Sequence, residues 1–478
     1  MAASAHSLLS TSNSDVTFPN YDRSTLTAGI VHIGVGNFNR AHMAHYLDRL
    51  FEKGLGHDWA IVGSSLMPAD TTLRDALSAQ DWCTTVVDLS RDDAQARVVG
   101  SMIDFLDINP QALIAQLASP AIRIVSLTIT EGGYFVDSTG AVMFDHPDIQ
   151  ADIRTPQGPV TVFGVLIEAL RRRKAAGVAP FTVLSCDNIQ ANGDVSKRVV
   201  TALAEKQDNA LAAWIETYVA FPNSMVDCIT PRTTDKERAL VSSRFGITDA
   251  APVVCEPFRQ WVIEDHFPCG RPPLEEVGVT FVEDVSIHET MKLRLLNASH
   301  ASLCYAAALM GYTYVHEALE DVTLARWLAE LPRRETIPCL TPLEGVDYAS
   351  YLDRCIERFK NPAISDTIAR LARDGSDRQP KFILPTVRTR LTQGLPVKGF
   401  ALELALWQRF CAHPTIALDD PLAKSLEVAA KQGAEAFLDI TAVFDTLGQD
   451  DCLRTAMVKA SRQIDHLGVR GAINAYLG

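Results

Sequence analysis

The stretch KLRLLNASH at 292–300 sets a lysine, an asparagine and a histidine inside an apolar run. At about 100° per residue of α-helix, Asn297 lies roughly 140° round from Lys292 and His300 roughly 80°, so the three share one broad face. Just upstream, SIHE puts Glu289 three residues after Ser286, a capping-box start, and Gly311 is a C-terminal stop. The pattern predicts one long, mostly apolar, buried helix. Burial disfavours the charged form of a lysine and leaves a neutral amine that can accept a proton. A lysine that snorkels to solvent from the first turns is the alternative. Spacing alone leaves both open.

A second constellation is the strand GIVHIG running into GVGNFNRAH. Gly34 and Gly36 follow a strand and precede a helix, the context of a dinucleotide-binding turn. Gly34 allows the tight turn, Gly36 lets backbone approach a pyrophosphate, and the helix start faces the phosphates. Asn39 stands where a third glycine is usual, and a purely structural turn is the alternative. Phe38 belongs to the same cofactor-binding turn, and Arg40 supplies either a phosphate contact or a structural one. Asp70, in SSLMPAD, is the candidate for the adenosine ribose, although it lies further along than the usual spacing of about 20 residues. No arginine precedes Arg74 in that loop, which favours NAD over NADP. Two further strands end in polar groups, SLTIT in Glu131 and TVLSC in Asp187 and Asn188. Ligands in open α/β sheets bind beyond such ends. An Asx-turn cap at Asn188 and a loop carboxylate at Glu131 are the plain alternatives.

The elements that must hold these residues alternate in the first half. Strand-like GIVHIG, DWAIVGSSL, TTVVDL, ARVVGSMI, IRIVSLTIT and FTVLSCDN are interleaved with helix-like RAHMAHYLDRLFEKG, TTLRDALSAQ, PQALIAQLAS and VFGVLIEALRRRKAAG. This predicts an α/β fold, an N-terminal Rossmann-like doubly wound sheet. From about residue 285 helical patterns dominate, through FALELALWQRFCA to SRQIDHLGVRGAINAYL. The expected division is 1–285, a Rossmann-like NAD-binding domain, and 286–478, an α-helical substrate and catalytic domain.

The 478 residues carry a net charge of -14 and no basic stripe, which argues against nucleic acid and anionic membranes as partners. No apolar run reaches transmembrane length, and MAASAHSLLSTSNSDVTF lacks the pattern of a secretory signal. Ten cysteines without CxxC pairs or zinc-like Cys/His spacing read as reduced thiols, no metal site is expected, and the expected location is cytoplasmic. Cys186, the cysteine nearest other polar candidates, has no support as a nucleophile.

Six motifs in order, GIVHIGVGNFNRAH, VSLTITEGGY, SCDN followed by NG, FPNSMVDCITP, VVCEPFRQWVIED and KLRLLNASH, resemble the long-chain mannitol dehydrogenase family. These are zinc-free polyol dehydrogenases and related uronate reductases. The resemblance runs to at least residue 388. It implies that Lys292 is the general base. Asn188 and Asn297 hydrogen-bond the reacting oxygen, His300 orients the substrate through a neighbouring hydroxyl, and Glu131 connects the lysine to bulk water. It implies that Asp227 lines the substrate pocket or tunes the lysine, and that Arg370 and Arg378, the latter in GSDRQPKF, contact substrate. Where this chain has Asn39 the family often has a histidine, Ala69 stands where close relatives often carry a second acid, and Arg378 replaces a usual lysine. The implied activity is NAD-dependent oxidation of D-mannitol to D-fructose, with D-arabinitol or D-glucitol as further substrates. A fructuronate or tagaturonate reductase is the second reading, and a non-catalytic NAD-binding sensor the third. A monomer or weak homo-oligomer acting on a small polyol or ketose is expected.

Overall fold

The computed structural model describes residues 13–137 and 139–478, so the N-terminal stretch read above as lacking a secretory signal lies mostly outside it. Two compact units form, one ending at Ser286 and the other spanning Ile287–Gly478.

The first unit is built on five parallel strands: β1 (Ala28–Ile33), β2 (Ala60–Ser64), β3 (Met102–Phe105), β4 (Ile124–Leu127) and β5 (Thr182–Ser185). They lie in the order β3-β2-β1-β4-β5. The chain reverses direction of travel across the sheet between β1 and β4, the switch point beyond which open α/β sheets bind ligands. Successive β1 residues serve opposite faces. Ile30 packs with Leu47 and Phe51, whereas Val31 and Ile33 pack with Leu166 and Leu170. Both faces are covered, which is why these strands read as continuous apolar runs.

Two expected strands belong elsewhere. TTVVDL and the start of ARVVGSMI, Thr84–Leu89 and Ala94–Val99, pair antiparallel with each other in a separate sheet, flanked by parallel strands Val253–Cys255 and Val16–Thr17 respectively. The chain crosses into β3 at Gly100–Ser101. There the buried Asp48 carboxylate accepts the Gly100 N–H at 2.9 Å and the Ser101 hydroxyl donates to Ala44 O at 2.7 Å. A β-branched run announces a strand but not its neighbour, because pairing is a long-range choice. A third sheet joins β6 (Ser224–Asp227), β7 (Gln260–Glu264) and β8 (Thr280–Val282), with Asp227 opposite Gln260.

The first predicted helix is also divided. It runs as α1 (Asn37–Ala41) and α2 (Met43–Glu52), broken at His42, whose φ of -114° and ψ of -87° are not helical. The His42 ring stacks on Phe38 and meets Trp261 edge-on, which fixes the break.

The second unit is helical. At its centre α4 (Lys398–Cys411), buried over most of its length, packs against α3 (Ala298–Leu309) and α5 (Asp451–Leu477). The long helix predicted through KLRLLNASH is not uniform. An α turn at Ser286–Met291 leads into a π-helical turn at Lys292–Asn297, and α3 follows. The Ala298 N–H bonds Leu293 O, five residues back. This corrects the 140° separation. With bonding between residues five apart, Lys292 and Asn297 lie closer together around the axis than in an α-helix. Among the described residues no helix is long and apolar enough to cross a membrane.

Candidate active site

The first unit presents its candidates at the carboxyl ends of β1, β2, β4 and β5. Gly34 follows β1 with φ +95°, and a Cβ there would lie 2.2 Å from Thr128 O, so only glycine fits. A buried relay braces this turn. His32 Nδ1 lies 2.9 Å from Ser126 Oγ, His32 Nε2 lies 2.9 Å from Thr128 Oγ1, and Thr128 Oγ1 donates to Gly34 O at 2.7 Å. Because Thr128 spends its proton on Gly34, it accepts from His32 Nε2–H, and Nδ1 accepts from Ser126. Burial pushes the His32 imidazole down to about 3, so it stays neutral.

Gly36 is different. Its backbone is extended, and a Cβ would meet only Gly34 O, at 3.8 Å. The protein's own packing does not demand glycine here, and the open space fits a pyrophosphate held at the start of α1. Phe38 is half-buried against His42. Of the two roles open to Arg40, the structure shows the structural one. The side chain is 3 % exposed and donates to Gly36 O, Asn37 Oδ1 and Ala251 O, so it frames the turn. Burial lowers its pKa to about 10. Asn39 is buried with both amide atoms unpartnered. Asp70 sits half-buried beyond β2, steadied by the Ser65 hydroxyl, which also accepts the Met67 N–H at 3.0 Å.

Glu131 and Asn188 are exposed on neighbouring strand ends, and Asp187 lies buried between them. Asp187 accepts the Ile129 N–H at 3.0 Å, the Thr130 N–H at 2.9 Å and the Tyr134 hydroxyl at 2.7 Å. Burial pushes its carboxyl up from the ordinary value against the pull of those bonds. The buried Asn192 amide donates to Asp187 O at 3.0 Å and Ser224 O at 2.9 Å, tying β5 to β6 and hence to Asp227, which is itself buried. Cys186 is buried and its thiol is pushed up by desolvation, the opposite of an activated nucleophile.

The second unit holds the other set. Lys292 is 7 % exposed, which decides against snorkelling, and Asn297 is half-buried one π turn on. The His300 ring stacks on Phe359 at 3.9 Å between centroids and leaves Nε2 without a partner. Desolvation, with Arg370, Arg358 and Arg378 adding to it and Asp366 opposing, lowers the His300 pKa to about 3. The ring is therefore a neutral hydrogen-bonding group. Arg370 forks onto Asp366 through Nε at 2.6 Å and a terminal nitrogen at 2.5 Å. Arg378 donates to Leu371 O at 2.9 Å and immediately precedes a second π turn, Gln379–Ile383, which packs against the first. Phe359 and Asp366 were not legible as site residues, and Asp187 was read only as a polar strand end beside Asn188.

A sheet of this strand order with a glycine turn at its first strand is a dinucleotide-binding fold of the Rossmann class. A family model described as Mannitol dehydrogenase Rossmann domain matches residues 28–276, and one described as Mannitol dehydrogenase C-terminal domain matches 284–465. The chain belongs to the mannitol dehydrogenase family and is an oxidoreductase, as the motif resemblance implied. It is 47% identical to a mannitol 2-dehydrogenase of Cereibacter sphaeroides, over 97% of this chain and 99% of that one. Its fold is similar to that of Pseudomonas fluorescens mannitol 2-dehydrogenase in a ternary complex with NAD and D-mannitol, at TM-score 0.85, 39% identity and 97% coverage of both chains. It is also similar to a D-sorbitol dehydrogenase in substrate-free form, at TM-score 0.88 and 36% identity, over 96% of this chain and 98% of that one.

Proposed function

We propose that this chain oxidises D-mannitol to D-fructose with NAD, using Lys292 as general base and no metal. The observation that carries the reading is the π turn. It sets a buried lysine and an asparagine on one face, with a neutral histidine a turn further on, in a chain 47% identical to a mannitol 2-dehydrogenase.

Neutral Lys292 takes the hydroxyl proton of the secondary alcohol. Asn188 and Asn297 donate hydrogen bonds to the oxygen as negative charge builds on it, the part a Lewis acid plays in metal-dependent dehydrogenases. His300, unable to charge at neutral pH, hydrogen-bonds a neighbouring hydroxyl and sets which carbon reacts. Glu131, exposed on its loop, passes the lysine's proton to water. NAD, when bound, accepts the carbinol hydrogen as hydride. Gly34, Gly36 and Phe38 hold its phosphate end, and Asp70 receives the ribose. In the reducing direction protonated Lys292 is the acid. Asp227, Arg370 and Arg378 shape the polyol's site, and D-arabinitol and D-glucitol are secondary substrates.

A fructuronate or tagaturonate reductase needs a cation free to meet the carboxylate. Arg370 is already forked onto Asp366, which disfavours that reading and leaves Arg378 as its one support. The test is initial rates by NADH absorbance with NAD against mannitol, arabinitol, glucitol and xylitol, and with NADH against fructose and fructuronate. Strong mannitol and fructose turnover that survives a chelator is expected. Activity with fructuronate alone, or loss of rate on chelation, overturns the proposal.

A further inference from the structure

We propose that Asp187 is a positioning residue that aims Glu131 by holding Thr130 in a strained backbone conformation, locked to the strand end that carries Asn188. The inference rests on the reading of Glu131 as the group that passes the proton to water.

Thr130 has φ +64° and ψ +164°, a region populated almost only by glycine. A β-branched residue stays there only if its surroundings hold it. The holding group is on the page. The Asp187 carboxylate faces two consecutive amides, taking Ile129 N–H on Oδ2 at 3.0 Å and Thr130 N–H on Oδ1 at 2.9 Å. Tyr134, at the far end of the short turn Glu131–Tyr134, donates its hydroxyl to Oδ2 at 2.7 Å and lies 2.6 Å from Ser185 Oγ. The turn bearing Glu131 is thus clasped at both ends by one carboxylate. The backbone that carries that carboxylate is itself held from behind. Its residue is 8 % exposed, its carbonyl is held by the fully buried Asn192, and Ser224 Oγ donates to Ser185 O at 2.6 Å two residues back. The next residue along the chain is Asn188. Asp187 therefore sets the spacing between the oxygen-binding amide and the proton-exit carboxylate, while Glu131 stays exposed to water.

A relaxed Thr130 would leave the fold intact and turn Glu131 away, a misplacement that costs about 10²-fold in rate. The test is Asp187→Asn in the full-length enzyme, measured as kcat, KM for mannitol and NADH dissociation constant, beside Glu131→Gln and the double variant. The expected result is a kcat lowered about 10²-fold by Asp187→Asn, KM and NADH affinity within about twofold, and no further loss in the double variant beyond Glu131→Gln alone. Losses that multiply, or a wild-type kcat for Asp187→Asn beside a slow Glu131→Gln, overturn the positioning role and leave the relay standing. A wild-type rate for Glu131→Gln removes the relay and with it this inference. If Asp187→Asn does not fold, Tyr134→Phe, which removes one donor to the carboxylate, decides by the same cycle. A several-fold kcat loss absent on the Glu131→Gln background supports the clasp, and an unchanged kcat overturns it.

Discussion

At the scale of single residues, the proposed chemistry depends on two groups of the second unit. Lys292 is buried in the π turn and His300 is stacked on Phe359 with its pKa lowered to about 3 by desolvation. Lys292→Ala is expected to cut kcat by about 10⁴-fold or more while NADH still binds, read by stopped-flow turnover and fluorescence titration. Near-normal turnover rejects the base. His300 carries no charge above about pH 4, so it does not supply any ionisation seen between pH 5 and 9. The expected outcome for His300→Asn is a raised KM for mannitol with the bell of kcat/KM unmoved along the pH axis. A limb that disappears in that variant assigns it to the histidine instead. The proposed roles come from the motif resemblance, whereas the stacking partner Phe359 lies 59 positions away and no local pattern points to it.

At the scale of elements, the strand–turn–helix from β1 to α1 contains two glycines with different reasons to be glycine. Gly34 is required by backbone, with φ +95° and no room beside Thr128 O, whereas Gly36 has an ordinary extended backbone and open space. Gly34→Ala is expected to destabilise the first unit by about 1–3 kcal/mol from its conformation alone, visible in chemical denaturation. Gly36→Ala should leave that stability within about 0.5 kcal/mol but weaken NADH at least tenfold, about 1.4 kcal/mol in isothermal titration. Equal effects on both quantities at both positions contradict the distinction. The glycine spacing was legible in the sequence. The break at His42 was not, because it is fixed by Trp261 from another element, and neither was the π turn at Lys292–Asn297, because apolar periodicity reads the same through an α and a single π turn.

At the scale of the whole molecule, stability should show the buried Glu403 of α4. It is 1 % exposed, accepts from Gln379 at 2.6 Å through one oxygen, and leaves the other without a partner. Desolvation raises its pKa to about 8 from an ordinary 4.5. Between those values the folded chain keeps a proton that the unfolded chain has released. Its contribution is therefore whole below about pH 4.5 and declines by up to about 1.4 kcal/mol per pH unit until pH reaches about 8. Glu403→Gln should remove that slope, so its melting temperature relative to wild type rises from pH 5.5 to pH 8. Parallel curves reject the ionisation. Strand and helix periodicity with the glycine turn by themselves determined the class of fold, because those signals are local, and the order of the motifs pointed to the family. Which strands share a sheet, that Arg40 frames the turn, that Lys292–Asn297 winds as a π turn, and that Asp187 stands behind Glu131 were decided only by the folded structure. The strand pairings, the Arg40 bond to Ala251 and the bonds of Asp187 to Ile129 and Thr130 join residues far apart in the chain, where burial changes what a side chain can do.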